Sequence, residues 1–389
     1  MRLFKHITLI LLGCSLSIFC LAQTDSVKPY KIAVFAPVYL DSTFSGDVYK
    51  LGKNNLPKYQ LPGLEFYNGM LLAVDSLNAE NAPISVLFYD SKSAIVSLQD
   101  IVKQEEFQSV SLIIASFTSR NEIRPLADFA LEKNIPIISS TFPNDGGITA
   151  NPFFALLNPT INTHIEAIYK YVHRNFPIEN IVLFKRKGNM EDMIQSILVN
   201  RNQKTPGIPL KLKTIELTDS FTTNQVTDYL DSTKKNIIIC GTLNENFSLQ
   251  LSKALGSSKN YQSIIIGMPT WDGIKDIGKG VETIYTTPYN FTKTDKLTLQ
   301  LSEKYKIKYA GRPTEMVLKG FESMYHFSKL LLKHGNGLIN QLSDKDFTLF
   351  NEFDFQPTKI KKESSLPDYL ENKKIYFIRK IDGKIKSVN

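Results

Sequence analysis

The chain has 389 residues, 42% hydrophobic and 22% charged, with a formal net charge of +8. That length exceeds one ordinary hydrophobic core and fits two domains. Its Lys and Arg are scattered among acids rather than gathered in a stripe interleaved with aromatics, which argues against a nucleic-acid partner; the basic balance still suits acidic ligands.

The first segment reads as a leader. Arg2 and Lys5 precede an apolar run that opens at Ile7–Leu12, and Cys20-Leu21-Ala22 closes it before Gln23. This is the pattern of a secretory signal peptide cut after Ala22. Gly13, Ser15 and Ser17 interrupt the run, which is short for a bilayer span. Leu11-Leu12-Gly13-Cys14 spells the alternative, a lipoprotein anchored at Cys14, with an apolar stretch at the lower limit of length. Loss of residues 1–22 takes two basic residues and no acid, lowering the net charge from +8 to +6. Cys14 and Cys20 leave with it, so Cys240 stands alone and neither an intramolecular disulfide nor a CxxC metal or redox site arises.

From Lys31 onward, β-rich runs alternate with amphipathic stretches. Strand Lys31–Pro37, helix Leu64–Asn78 and strand Ile84–Asp90 form the first cycle, with a polar, Gly/Pro-punctuated insertion at Asp41–Pro62 that should overhang the strand ends. Helix Ala94–Phe107, strand Ser109–Ser116, helix Glu122–Lys133 and strand Ile135–Ser140 follow. The loop Phe142–Pro152 breaks the rhythm. A second set then runs through helix Ile161–Asn175, strand Asn180–Phe184, helix Glu191–Asn202, strand Leu210–Leu217, helix Asn224–Thr233, strand Asn236–Gly241, helix Glu245–Leu255, and strands Ser263–Gly267 and Glu282–Tyr289. Helices Asp295–Lys306 and Pro313–Lys333 precede strands near Leu349–Phe355 and Lys374–Ile381.

Strands alternating with helices mean βαβ units and parallel sheets, so the fold class is α/β, with the two sets of cycles forming two lobes. The expected division is a leader at 1–22, a first lobe from 23–157 plus about 290–334, and a second from 158–289 plus about 335–389. Ligands of such sheets bind outside the carboxyl ends of the strands. Ser116, Thr118 and Ser119 sit there before one helix, and Ser139, Ser140 and Thr141 end the next strand, an arrangement suited to an anion at a helix N-terminus. Helix capping is the plainer role for such residues.

Several stretches in order resemble the type I periplasmic binding proteins of the branched-chain amino acid (leucine/isoleucine/valine) class. They are IAVFAPVY, LEFYNGMLLAVDSLN, VLFYDSKS, LIIASFTSRNEIRPLADFALEKNIPIISST and PTEMVLKGFESMYHFSKLL. The resemblance covers nearly all of Lys31–Asn389. It implies two Rossmann-like lobes with parallel sheets, joined by three crossing strands, that close on a solute, with the Ser116–Ser119 and Ser139–Thr141 loops gripping an acidic group. Tyr39, at the end of the first signature, joins these as a candidate contact. On the second lobe the matching loops offer Lys185, Asn189, Asn244, Trp271 and Asp272; KRKGNMED and MPTWDG depart from the amino-acid-binding pattern, and Asp272 is the nearest acid for an ammonium group. The implied function is binding of an amino-acid-like or other anionic small molecule, with an ABC transporter permease or an envelope receptor as further partner.

No GxGxxG, GxxxxGK[ST] or GxSxG occurs, and the five histidines show no HxxxH spacing, so no catalytic residue, cofactor or metal is expected. A non-transport envelope or sensor protein reusing the clamshell remains the alternative, and an α/β enzyme the more remote one.

Overall fold

The structure, a computed structural model, describes residues 28–52, 55–290, 295–360 and 364–388. The proposed leader and both of its cleavage sites lie outside the described residues. In chain order the first lobe begins with β1 (Tyr30–Ala36), a small hairpin of β2 (Phe44–Ser45) and β3 (Val48–Tyr49), α1 (Leu61–Ala79), β4 (Ile84–Asp90), β5 (Val110–Ala115), α2 (Arg120–Lys133), β6 (Ile137–Ser139) and β7 (Phe154–Leu156). The chain then crosses to α3 (Ile161–Asn175), β8 (Asn180–Lys185), α4 (Asn189–Lys204), β9 (Leu212–Glu216), β10 (Asn236–Cys240), α5 (Glu245–Ser257), β11 (Ser263–Gly267) and β12 (Glu282–Thr287). It returns for α6 (Lys296–Tyr309), α7 (Glu315–His334), β13 (Phe355–Thr358) and β14 (Tyr369–Asn372), and crosses a third time to β15 (Tyr376–Ile381) and β16 (Lys384–Val388).

Two seven-stranded sheets result, ordered β13-β14-β7-β6-β5-β1-β4 and β16-β15-β12-β11-β10-β8-β9. Pairing is parallel except at β13–β14, β12–β15 and β15–β16. Burial on both faces explains the near-continuous apolar strands. Along β5, Leu112 and Ile114 face the core under α1 and α7, while Ile113 and Ala115 face the one under α2. The second sheet divides its strands between two cores in the same way.

Helices α1 and α7 meet through paired glycines. A Cβ at Gly69 would stand 2.0 Å from the Val317 carbonyl oxygen, and one at Gly320 would stand 2.1 Å from that of Phe66. Only glycine allows that backbone approach.

Three expectations need correction. Helix Ala94–Phe107 shrinks to a turn at Leu98–Ile101: Ser93 accepts from Ile95 and Val96 N–H, local bonds that compete with a helix there, and Ser97 caps the short turn by accepting from Asp100 N–H. Helix Asn224–Thr233 stops at Thr227, and Asp231 turns the chain by accepting from Thr233. Residues 335–389 do not all join the second sheet. The strand expected near Leu349–Phe355 starts at Phe355 as β13, and with β14 it completes the first sheet; only β15 and β16 join the second.

Candidate functional site

On the first lobe the strand-end loops extend the ladder by one residue each. Ser116 N–H donates to the Phe35 carbonyl (2.9 Å) and Ser140 N–H to that of Ala115 (2.8 Å). Asp90, ending β4, accepts from Val38 and Leu40 N–H and so anchors the loop after β1. Tyr39 in that loop has left-handed backbone (φ 58°), and its ring lies edge-on to Tyr59 at 5.0 Å. A non-glycine residue held in that region marks a locally constrained site. The insertion is tied down as expected of an overhang, with the Asp41 carboxylate accepting from Ser93 and from Ala94 N–H.

Ser116 Oγ and Thr141 Oγ1 lie 2.9 Å apart, so the two candidate loops do meet. Ser139 and Ser140 are fully buried, and neither hydroxyl has a protein partner. The donors of Thr118 and Ser119 are already engaged. Both hydroxyls donate to Glu122 Oε1, at 2.8 and 2.7 Å, and Lys92 Nζ reaches the same oxygen at 2.6 Å. Burial works to raise the Glu122 carboxyl, but the bonds from Lys92, Ser119 and Thr118 outweigh it and hold it below its ordinary range.

On the second lobe, Asn189 is exposed at the start of α4, and Asn244 caps α5 by accepting from Phe247 N–H. Lys185 does not offer a free cation. Its side chain is buried and paired with both Asp192 and Glu216. Trp271 has no exposed surface: it packs over Gly267 within the core beneath the sheet. Asp272 beside it is exposed and accepts from the Tyr285 hydroxyl at 3.0 Å. Glu191, buried, accepts from the Thr242 hydroxyl at 2.6 Å.

The crossings are tied by carboxylates that the sequence reading missed. Glu371 of β14 accepts from Thr160 N–H, the Thr160 hydroxyl and the Thr163 hydroxyl, and pairs with Lys373. It thus fixes the start of α3 in the other lobe. His164 beside it is buried, and that burial pushes its pKa down to about 4 against the pull of Glu371. Glu322 of α7 accepts from Phe350 N–H, Asn351 N–H and the Asn351 amide, whose oxygen receives Asn290 N–H of the second crossing. Tyr289 in that crossing donates to the Ser140 carbonyl and lies under Lys319 Nζ at 4.0 Å. The nearest signal for Glu122 was the spelling Ser119-Arg120-Asn121-Glu122, a capping-box pattern; no comparable signal marked Glu322 or Glu371.

A cavity of about 1110 Å³ opens where α1 and α7 begin, lined by first-lobe residues that include Glu65, Lys306, Arg312 and Lys319. Among the described residues no group of three or more His, Cys, Asp or Glu is placed to hold a metal. No helix among them is long and apolar enough to cross a membrane.

No family model and no curated protein matches the chain. Solved structures do. An ABC transporter substrate-binding protein from Desulfitobacterium hafniense, in complex with Leu, is 14% identical with a TM-score of 0.58, covering 92% of this chain and 100% of that one. A branched-chain amino acid ABC transporter periplasmic ligand-binding protein from Burkholderia xenovorans is 11% identical with a TM-score of 0.58, covering 92% and 94%. The LpoA C-domain from Haemophilus influenzae, a regulator of PBP1A, is 14% identical with a TM-score of 0.56, covering 92% and 100%. With two mostly parallel sheets, three crossings and these neighbours, the chain has the fold of the type I periplasmic binding proteins.

Proposed function

We propose that this is an extracytoplasmic solute-binding protein that closes on a small ligand between its lobes, for uptake or sensing, without chemical change. The observation that carries the reading is the meeting of the two first-lobe loops at Ser116 and Thr141, beside the unpartnered hydroxyls of Ser139 and Ser140. Buried hydroxyls without partners at the carboxyl ends of parallel strands are groups a ligand satisfies. Tyr39, Ser116, Ser139, Ser140 and Thr141 are the first-lobe contacts in this reading, with Thr118 and Ser119 acting through Glu122; Asn189, Asn244 and Asp272 serve on the second lobe. The D. hafniense neighbour in complex with Leu supports an amino-acid-like ligand. Export by the leader, cut after Ala22 or lipidated at Cys14, and delivery to an ABC transporter permease or an envelope receptor complete the proposal.

Thermal-shift screening against amino acids, short peptides, nucleosides and organic acids tests it, because a ligand of the folded state must raise Tm. With the ligand in hand, Thr141→Val keeps the shape and removes the hydroxyl, so affinity should fall about tenfold or more. Unchanged affinity on calorimetry would move the site elsewhere.

One observation favours a second reading, an envelope protein that grips another protein rather than a solute. Leu40, Phe44, Val48 and Tyr49 expose apolar side chains around the β2–β3 hairpin, and the LpoA C-domain shares the fold. A protein partner lost on Val48→Lys, with no solute raising Tm, would favour it.

A further inference from the structure

Building on the solute-binding reading, we propose that the cleft takes a protonated amine without a free carboxylate at its first-lobe end. Glu191 is the anchor for the amine, and Glu122 stands in the hydroxyl cradle that an anionic group would otherwise fill.

The two glutamates occupy equivalent places. Each is the third residue of the helix that follows a strand, Glu122 in α2 after β5 and Glu191 in α4 after β8. Each is buried, with 5% and 6% exposure, and each accepts a threonine hydroxyl from a strand-end loop. They differ in compensation. Three donors converge on Glu122, and Lys92 balances its charge. Glu191 has the Thr242 hydroxyl and, among the described residues, no Lys or Arg in an ion pair.

A buried carboxylate without a cation is costly unless something charged completes it. An ammonium group does so with charge-assisted hydrogen bonds. Glu191 Oε2 lies against Gly188, where an added Cβ would stand 2.3 Å away, and accepts no hydrogen bond from a described residue.

The first lobe carries the complementary exclusion. A ligand carboxylate entering the Thr118–Ser119 loop meets hydroxyls already turned onto Glu122 and a single cation, Lys92, already paired with it. Two carboxylates in one buried site cannot both stay ionised at little cost. An amide or an unsubstituted end meets no such penalty, and the partnerless hydroxyls of Ser139 and Ser140 remain for a neutral polar group.

A matched panel tests this on the full chain: leucine, lysine and phenylalanine, their amides, and the corresponding acids lacking the amine. Calorimetry at pH 7 should find amides binding at least about tenfold more tightly than free amino acids, with the deaminated acids not binding. Glu191→Gln should lose amide binding about tenfold or more. Glu122→Gln, of the same shape, should gain binding of the free amino acids; an unchanged Tm without ligand shows that each variant folds. Acids or free amino acids binding the wild type as well as amides do, or Glu191→Gln binding like wild type, would overturn the inference. A cleft ligand without an amine, found in the wider screen, would overturn it and leave the solute-binding reading standing. If no solute binds at all, both fall.

Discussion

Glu322 is the residue whose chemistry should be easiest to read in solution. Burial raises its carboxyl to about 7 despite the donors from Asn351 and Phe350. Between its ordinary value of 4.5 and about 7 the folded state keeps a proton that the unfolded state has released. Its contribution to stability therefore falls as pH rises through that window, with the full penalty in place above about 7. Glu322→Gln removes this titration. Urea unfolding at pH 5, 6 and 7 should show a stability-versus-pH slope more positive than wild type by up to about 1.4 kcal/mol per unit; an unchanged slope would mean that Glu322 titrates normally. At this scale the sequence was half legible. Ser116 and Thr141 do meet, because strand-end positions follow from the βα rhythm. The burial of Trp271 and the ion pairs of Lys185 did not follow, since neither rhythm nor composition says which way a side chain turns at the end of a strand.

Helices α1 and α7 show what the apolar pattern could reach and what it could not. Both were visible as periodic runs, yet their close packing depends on Gly69 and Gly320, which read in sequence as weak points inside helices. Gly320→Ala should destabilise by about 1–3 kcal/mol, since the added Cβ meets the Phe66 carbonyl oxygen at 2.1 Å and a helical backbone yields little. Chemical denaturation with an unchanged midpoint would contradict that packing. The failed helix at Ala94–Phe107 has the opposite lesson. Its composition permits a helix, but Ser93 and the distant Asp41 fix the backbone otherwise, and Ser97 caps only a short turn. β14 was missed because Tyr369–Asn372 is too short for period-2 alternation to stand out.

For the whole molecule, two sheets and a change of lobe near residue 157 were legible from the alternation and its interruption. The return of β13 and β14 to the first sheet was not, because pairing partners far apart in sequence leave no local mark. These late strands carry Glu371, which ties the lobes together across the crossings. Glu371→Ala leaves the Thr160 N–H and two threonine hydroxyls without their acceptor, and should cost about 2–3 kcal/mol. It should also loosen the relation of the lobes, which small-angle scattering reads as a broader distance distribution. A profile identical to wild type would assign the hinge to other contacts.

The interleaving of the lobes sets an order of events during synthesis. The core beneath β1 is closed by Val317, Phe321, Met324, Phe327 and Leu330 of α7, and the first sheet is finished only by β14. A nascent chain that has reached Asn290 therefore holds every strand from β1 to β12 and has neither lobe complete. Residues 28–290 expressed alone should bind a hydrophobic dye and lack a cooperative unfolding transition; a sharp transition would show that the early elements suffice. At ~5–20 residues per second, roughly 4–16 s separate Asn290 from Asn372. Throughout that interval the ribosome-bound chain remains without a locked fold, and so can still be threaded through a narrow channel.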